Sequence, residues 1–180
     1  MALKPDVIVK YYPDNADPMW LLEVEKLLPW FSGRGADIGC GLRTIRPGVI
    51  RVDIDKAVQP DVLVKDHELP FKDGQLPFIC SIHSFEHFPD PRKTLAEWLR
   101  VVKKGGAVGI VHPDVDFTKK QNPEIDAPGL KANPYNRHWH EHNQQSFLEF
   151  LKTVADLPFI VVDSGPACPK WSFYVILRKV

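Results

Sequence analysis

Apolar residues in this chain come in short runs divided by polar turns, and two periods alternate along it. Between Pro18 and Leu28, Leu21, Val24 and Leu28 recur at helical spacing and predict a helix with one apolar face. Gly35-Ala36-Asp37-Ile38 then reads as a short strand entering Gly39-Cys40-Gly41. Further strands are predicted at Val49–Asp53, Asp61–Asp66 and Phe78–Ile82, each ending at or just before polar residues. The clearest helix follows. Asp90 suits an N-cap and Pro91 the first helical position. Leu95, Trp98, Leu99 and Val102 mark one face, and Gly105-Gly106 is expected to stop the helix. A buried-type strand, Ala107–Val111, leads into a loop rich in Pro, Asn and Asp from His112 to about Gln144. Phe147, Phe150, Leu151 and Val154 predict a second amphipathic helix, and strands at Phe159–Val162 and Ser172–Leu177 end the pattern.

Nearly continuous apolar strands separated by helices predict an α/β fold. The expected architecture is a seven-stranded, mostly parallel, Rossmann-like sheet with helices on both faces and an antiparallel strand near the C-terminus. Such sheets bind ligands at the carboxyl ends of their strands, where this chain places its Gly, Asp and His residues. One connection is unusual. Only Leu42 to Gly48 join the first strand to the second, whereas a parallel crossover normally takes a dozen or more residues and a helix. The first crossover helix is therefore expected to be a turn, or lost.

Composition narrows the picture. With 180 residues, 44% hydrophobic and 26% charged, the chain is expected to form a single domain over 1–180. Its parts are a helical lead-in over 1–34, a core over 35–111, an acceptor-side loop over 112–143, and a helix with a strand pair over 144–180. Lys and Arg number 23, as do Asp and Glu, so the zero net charge disfavours a nucleic-acid or anionic-membrane partner. Cys40, Cys80 and Cys168 show no paired spacing, which suits reduced thiols in a cytoplasmic protein. The MALKPDVIVKYYPD start has no signal-type apolar core, and no run is long enough for a membrane span.

The chemistry begins at Asp37-Ile38-Gly39-Cys40-Gly41. Glycines after a strand let the backbone pass close to a ligand. Asp53, at the end of the next strand, is placed to accept hydrogen bonds from ribose hydroxyls. Together they point to a nucleoside-containing cofactor. A nicotinamide dinucleotide would call for a third glycine at position 44, and position 44 is Thr.

Five stretches in order carry a family resemblance: DIGCG at 37–41, VDID at 52–55, DHELPFKDG at 66–74, HSFEHFPDP at 83–91 and KKGGAVGIV at 103–111. The chain resembles the class I S-adenosylmethionine-dependent methyltransferases of the small, type 11-like kind. The resemblance implies S-adenosylmethionine as cofactor. Gly39, Cys40 and Gly41 would pass along its methionine part, and Asp37 would order that loop and the amino group. Asp53 would hold the ribose with Ile54 beside the adenine, Asp66 and His67 would flank the adenine, and His83 would face the methionine end. Pro77 stands where the family usually has Asp.

Histidine is concentrated on the acceptor side. His83 and His87 flank the start of the long helix, and His112 and Asp114 follow the fifth strand. His138, His140 and His142 alternate, which puts three rings on one side of an extended segment. No HExxH or CxxC spacing supports a metal, and none is expected; pocket or loop-packing histidines fit better. His83, His112 and His140 are the candidates for positioning the acceptor or taking its proton. Trp139 could wall the acceptor pocket, and Tyr11 and Tyr12 could cover the cofactor. Asn133-Pro134-Tyr135 resembles a DNA amino-methylation motif but lies after the wrong strand. The expected function is methyl transfer to an oxygen or nitrogen of a small-molecule acceptor, such as a sugar or natural-product intermediate. The alternative is a non-catalytic module that binds S-adenosylmethionine or its demethylated product, S-adenosylhomocysteine.

Overall fold

The computed structural model describes residues 17–64, 68–118 and 137–180, together with the backbone of 119–121. Helix α1 (Pro18–Leu27) starts where the Asp17 carboxylate accepts the Met19 amide. It buries Trp20, Glu23, Val24 and Leu27, a stripe slightly rotated from the expected Leu21, Val24 and Leu28. Strands β1 (Ala36–Ile38), β2 (Ile50–Asp53), β3 (Val62–Leu63) and β4 (Leu76–Ile82) follow. Helix α2 (Pro91–Val101) is capped by Asp90, whose carboxylate accepts the Lys93 amide, and Pro91 opens it as expected.

The helix does not run to Gly105-Gly106. Strand β5 (Val102–Pro113) begins directly after Val101, and Val102 pairs with Leu76 of β4. The bulge between Leu76 and Phe78 absorbs the register change, so the glycines lie inside a strand. Helix α3 (Val115–Gln121) occupies part of the segment expected as loop, and α4 (Gln144–Thr153) is held by a capping box of Asn143 and Ser146. Strand β6 (Phe159–Cys168) continues well past the expected Val162, and β7 (Ser172–Lys179) completes the sheet. Polar Asp163 and Ser164 and the ring of Pro166 are tolerated in β6 because it is an edge strand.

The sheet order is β3-β2-β1-β4-β5-β7-β6. Strands β1 to β5 are parallel, and β7 runs antiparallel to both β5 and β6. The chain reverses direction across the sheet at β1, so the β1 and β4 tips form the switch point where open α/β sheets hold ligands. Each face has its own apolar layer. One joins Ile79, Val108, Ile110, Val175 and Leu177 to Leu95, Trp98 and Leu99 of α2 and Phe147 of α4. The other joins Phe78, Cys80, Val111 and Ile176 to Trp20, Val24 and Leu27 of α1, with Ile45 and Val49. Between β1 and β2 there is no helix, as the shortness of Leu42–Gly48 predicts; Ile45 of the connection is buried in that second layer.

Candidate cofactor site and acceptor edge

The tips of β1, β2 and β4 are tied together by a small set of hydrogen bonds. The Gly39 amide donates to the Val52 carbonyl at 2.9 Å, so the turn leaves β1 while still paired to β2. Gly39 has φ +69°, and a Cβ there would collide with the Cβ and Oγ of Ser84. Only glycine lets the β1 turn pass this close to the β4 loop. Ser84 Oγ donates to the Ile38 carbonyl at 2.8 Å and lies 2.9 Å from Ser81 Oγ, fixing the two loops together. Gly41, at φ +53°, faces open space.

Asp53 clasps this turn. It is buried, one oxygen accepts the Gly41 amide at 2.8 Å, and the other accepts the Asp55 amide at 2.9 Å. A carboxylate offers about four lone-pair positions, so both oxygens keep capacity for a ligand hydroxyl. Ile54, beside it, is exposed. Arg51 braces the same turn from the other side. Its guanidinium donates to the carbonyls of Gly41 at 2.7 Å, Val58 at 2.9 Å and Gln59 at 3.1 Å.

Asp37 lies deeper. Burial pushes its carboxyl up to about 7, against the opposing hydrogen bond donated by Cys80 Sγ at 3.3 Å. Burial, followed by the nearby Asp37, pushes the Cys40 thiol up to about 12, so this cysteine is inert at neutral pH. Asp66 and His67 fall outside the described residues, as do Tyr11, Tyr12 and Asn133-Pro134-Tyr135.

His83 opens the acceptor edge. It takes the left-handed conformation, φ +53°, which is uncommon for a residue with a side chain and is held here by its amide bond to the Val111 carbonyl at 3.0 Å. Its Nε2 lies 2.7 Å from Oε1 of Glu23, and the same oxygen accepts Ser172 Oγ–H at 2.6 Å. Burial alone would lower the basicity of His83. The hydrogen bond and charge of Glu23 outweigh it, and the net effect is upward.

The other histidines divide into two groups. His112, His140 and His142 lie with ring centroids 5.5–6.0 Å apart, walled by Phe85, Phe147, Phe150 and Phe173. Nδ1 of His112 donates to the Pro113 carbonyl at 2.7 Å, and its Nε2 is buried without a partner. Burial drives His112 down to about 3 and His140 to about 4, so both are neutral. The ring nitrogens of His140 are buried near the backbone of Phe85 and Phe88 without hydrogen-bond geometry. His138 goes elsewhere, its ring 5.0 Å from that of His87. The expected single row of three rings is thus split, because residues 140–142 bend inward to bridge Asp114 while 138 stays beside the β4 loop. Trp139 is exposed and stacks under the Arg137 guanidinium at 3.9 Å.

Sequence reading missed Glu23, Arg51, Ser84 and Glu86. Glu23 was discoverable as a carboxylate one residue from Val24 on an otherwise apolar helix stripe. The others act through loops whose approach no local pattern reports.

Residues 36–110 match the methyltransferase domain family. The match spans the glycine turn and the strands around the switch point, the part of the chain where the resemblance places S-adenosylmethionine. A methyltransferase from Aquifex aeolicus shares the fold at TM-score 0.64 and 16% identity, over 99% of this chain and 100% of that one. A chain in the complex of the Haloferax volcanii Trm112 methyltransferase activator with a methyltransferase matches at TM-score 0.69 and 14% identity, over 91% of each. Geranyl diphosphate C-methyltransferase of Streptomyces coelicolor, in complex with Mg2+, geranyl diphosphate and S-adenosylhomocysteine, matches at TM-score 0.61 and 11% identity, over 99% of this chain and 89% of that one. In sequence, an uncharacterized protein of Methanocaldococcus jannaschii is 29% identical over 121 residues, 58% of either chain. A 37.1 kDa protein from a Streptomyces fradiae transposon is 26% identical over 63% of this chain, but that is only 36% of its own length.

The residues present fit the cofactor. The Gly41 position would leave backbone open to it, and Asp53 retains acceptor capacity. No helix among the described residues is long and apolar enough to cross a membrane.

Proposed function

We propose that the chain transfers a methyl group to an oxygen or nitrogen of a small-molecule acceptor. The reading rests chiefly on one observation, the Gly39–Gly41 turn clasped by Asp53 at the switch point of the sheet. In it, Gly39, Cys40 and Gly41 hold the methionine part, Asp37 orders the turn, and Asp53 binds the ribose beside Ile54. Asp66 and His67 are assigned to the adenine by resemblance alone.

When bound, S-adenosylmethionine supplies a methyl group on a sulfonium, already activated for in-line attack. The protein's work is to align donor and acceptor and to receive the acceptor's proton. His83 suits the second task best. Its Nε2 donates to Glu23, which leaves Nδ1 as the lone pair of the neutral ring, and Glu23 keeps the ring basic. His112 and His140 are too weakly basic to hold a proton at neutral pH. Their unpartnered nitrogens suit them to orient an acceptor through hydrogen bonds.

The test is calorimetric titration with S-adenosylmethionine, S-adenosylhomocysteine and NAD. The expected result is binding of the first two and not of NAD, with Asp53→Ala weakening both by ten-fold or more while circular dichroism is unchanged. Absence of binding by the folded wild type, or unchanged affinity in the variant, overturns the assignment.

A further inference from the structure

The turn after β4, Phe85–His87, holds a buried carboxylate that the methyl-transfer reading does not use. Glu86 is 1% exposed, and its Oε2 has no hydrogen-bond partner. Its Oε1 lies 4.0 Å from Nε2 of His87. The state of that imidazole is set from its far side. Nδ1 of His87 lies 3.1 Å from the Arg137 carbonyl, which can only accept, so Nδ1 carries the proton and the neutral ring turns its Nε2 lone pair toward Glu86. A lone pair then faces a buried carboxylate. Such an arrangement is costly unless a proton or a cation is shared.

His138 completes the group. One ligand atom from each of Glu86, His87 and His138 can be chosen so that all lie within 4.8 Å of one another. We propose that Glu86, His87 and His138 form a three-ligand site for a divalent first-row transition cation at the acceptor edge of the sheet. Two imidazoles and one carboxylate are a donor set for Zn2+, Fe2+ or Co2+ rather than for Ca2+ or Mg2+. Two ligands about 2.1 Å from a common ion stand about 3.4 Å apart at the tetrahedral angle, so closure asks each pair to shorten by up to about 1.4 Å, within reach of side-chain rotation. The Arg137 carbonyl orients His87 as the outer partners of metal-bound histidines do. Burial, the main influence on Glu86, and on His87 as well, leaves the carboxyl raised to about 7 and the imidazole lowered; a bound cation would reverse that penalty for the carboxylate. Three protein ligands leave a coordination position open, which an acceptor oxygen could fill. This reverses the sequence expectation of no metal. It does not depend on the identity of the methyl acceptor or on cofactor binding.

The experiment uses the full chain, stripped with a chelator and titrated with Co2+ under visible spectroscopy, then with Zn2+ in competition. One equivalent of Co2+ is expected to bind at micromolar concentration or below, to develop visible bands, and to be displaced by Zn2+. Glu86→Gln and His138→Ala are each expected to weaken binding by ten-fold or more. S-adenosylmethionine titration of the same samples reports the fold and the cofactor site independently. Failure of the wild type to take up Co2+ or Zn2+ while cofactor binding and circular dichroism are normal overturns the proposal, and indicates a shared proton instead. Uptake that Glu86→Gln leaves unchanged overturns it equally.

Discussion

Glu23 of α1 and His83 of the β4 tip meet at 2.7 Å, in a pocket that also holds Ser172 of β7. Three separate elements thus meet at one hydrogen-bonded pair. Its pH behaviour follows from the upward shift of His83: the charged pair adds stability below the ordinary imidazole range, and that contribution is lost as pH rises through the folded-state value. Removing the carboxylate charge as Glu23→Gln is expected to lower the His83 titration point by about one unit, read by histidine proton NMR. In the methyl-transfer assay, the acid limb of the rate profile should move down with it. An acid limb that stays in place would assign the base to another residue. This pair illustrates what a linear reading misses. His83 is recognisable within HSFEHF, but nothing local to it announces a partner on α1.

At the scale of elements, the Leu42–Gly48 connection is where the chain departs most from the usual crossover. A helix there would cover the sheet with its apolar stripe. This chain uses Ile45, buried in the layer with Phe78, and Arg46. The Arg46 guanidinium lies over the Phe78 ring at 5.0 Å and donates to the carbonyls of Phe31 at 3.1 Å and Gly33 at 2.6 Å. Arg46→Ala is therefore expected to destabilise the protein by about 2 kcal/mol, since charge-assisted bonds to carbonyls and a ring contact are lost together. A urea unfolding midpoint checks it, and an unshifted midpoint would show that Ile45 alone secures the connection. Shortness alone made the absence of a helix legible, because too few residues remain to cross the sheet. What replaces the helix was not, because both carbonyl partners of Arg46 precede β1.

For the whole molecule, the parallel half of the sheet was readable because buried strands leave continuous apolar runs, as in Phe78–Ile82 and Ala107–Val111. The antiparallel half was readable only in part. Strand β6 continues through Asp163, Ser164 and Pro166, which break an apolar pattern but cost little on an edge. Helix α3 was missed because it is short and shows no apolar repeat; its start is held by local bonds, the Thr118 amide and hydroxyl both donating to the Asp114 carbonyl. The glycine turn and Asp53 were legible as a motif, since a cofactor imposes residue types at fixed spacing; the split of the histidines was not, since alternation along the chain does not fix where the backbone bends.

The short crossover also bears on the order in which the sheet assembles. Ala36 pairs with Ile50 across a small loop, whereas Val111 must find Tyr174 across a much longer one. Closing the smaller loop saves about 1 kcal/mol of chain entropy. The edge that holds the cofactor turn therefore has a head start in folding. Pulse-labelled amide exchange is expected to show Ile50 protected before the β5 amides that bond to β7, and simultaneous protection would mean that the strands condense in one step. A nascent chain would then meet its first ligand contacts while the β6–β7 hairpin has yet to dock on β5.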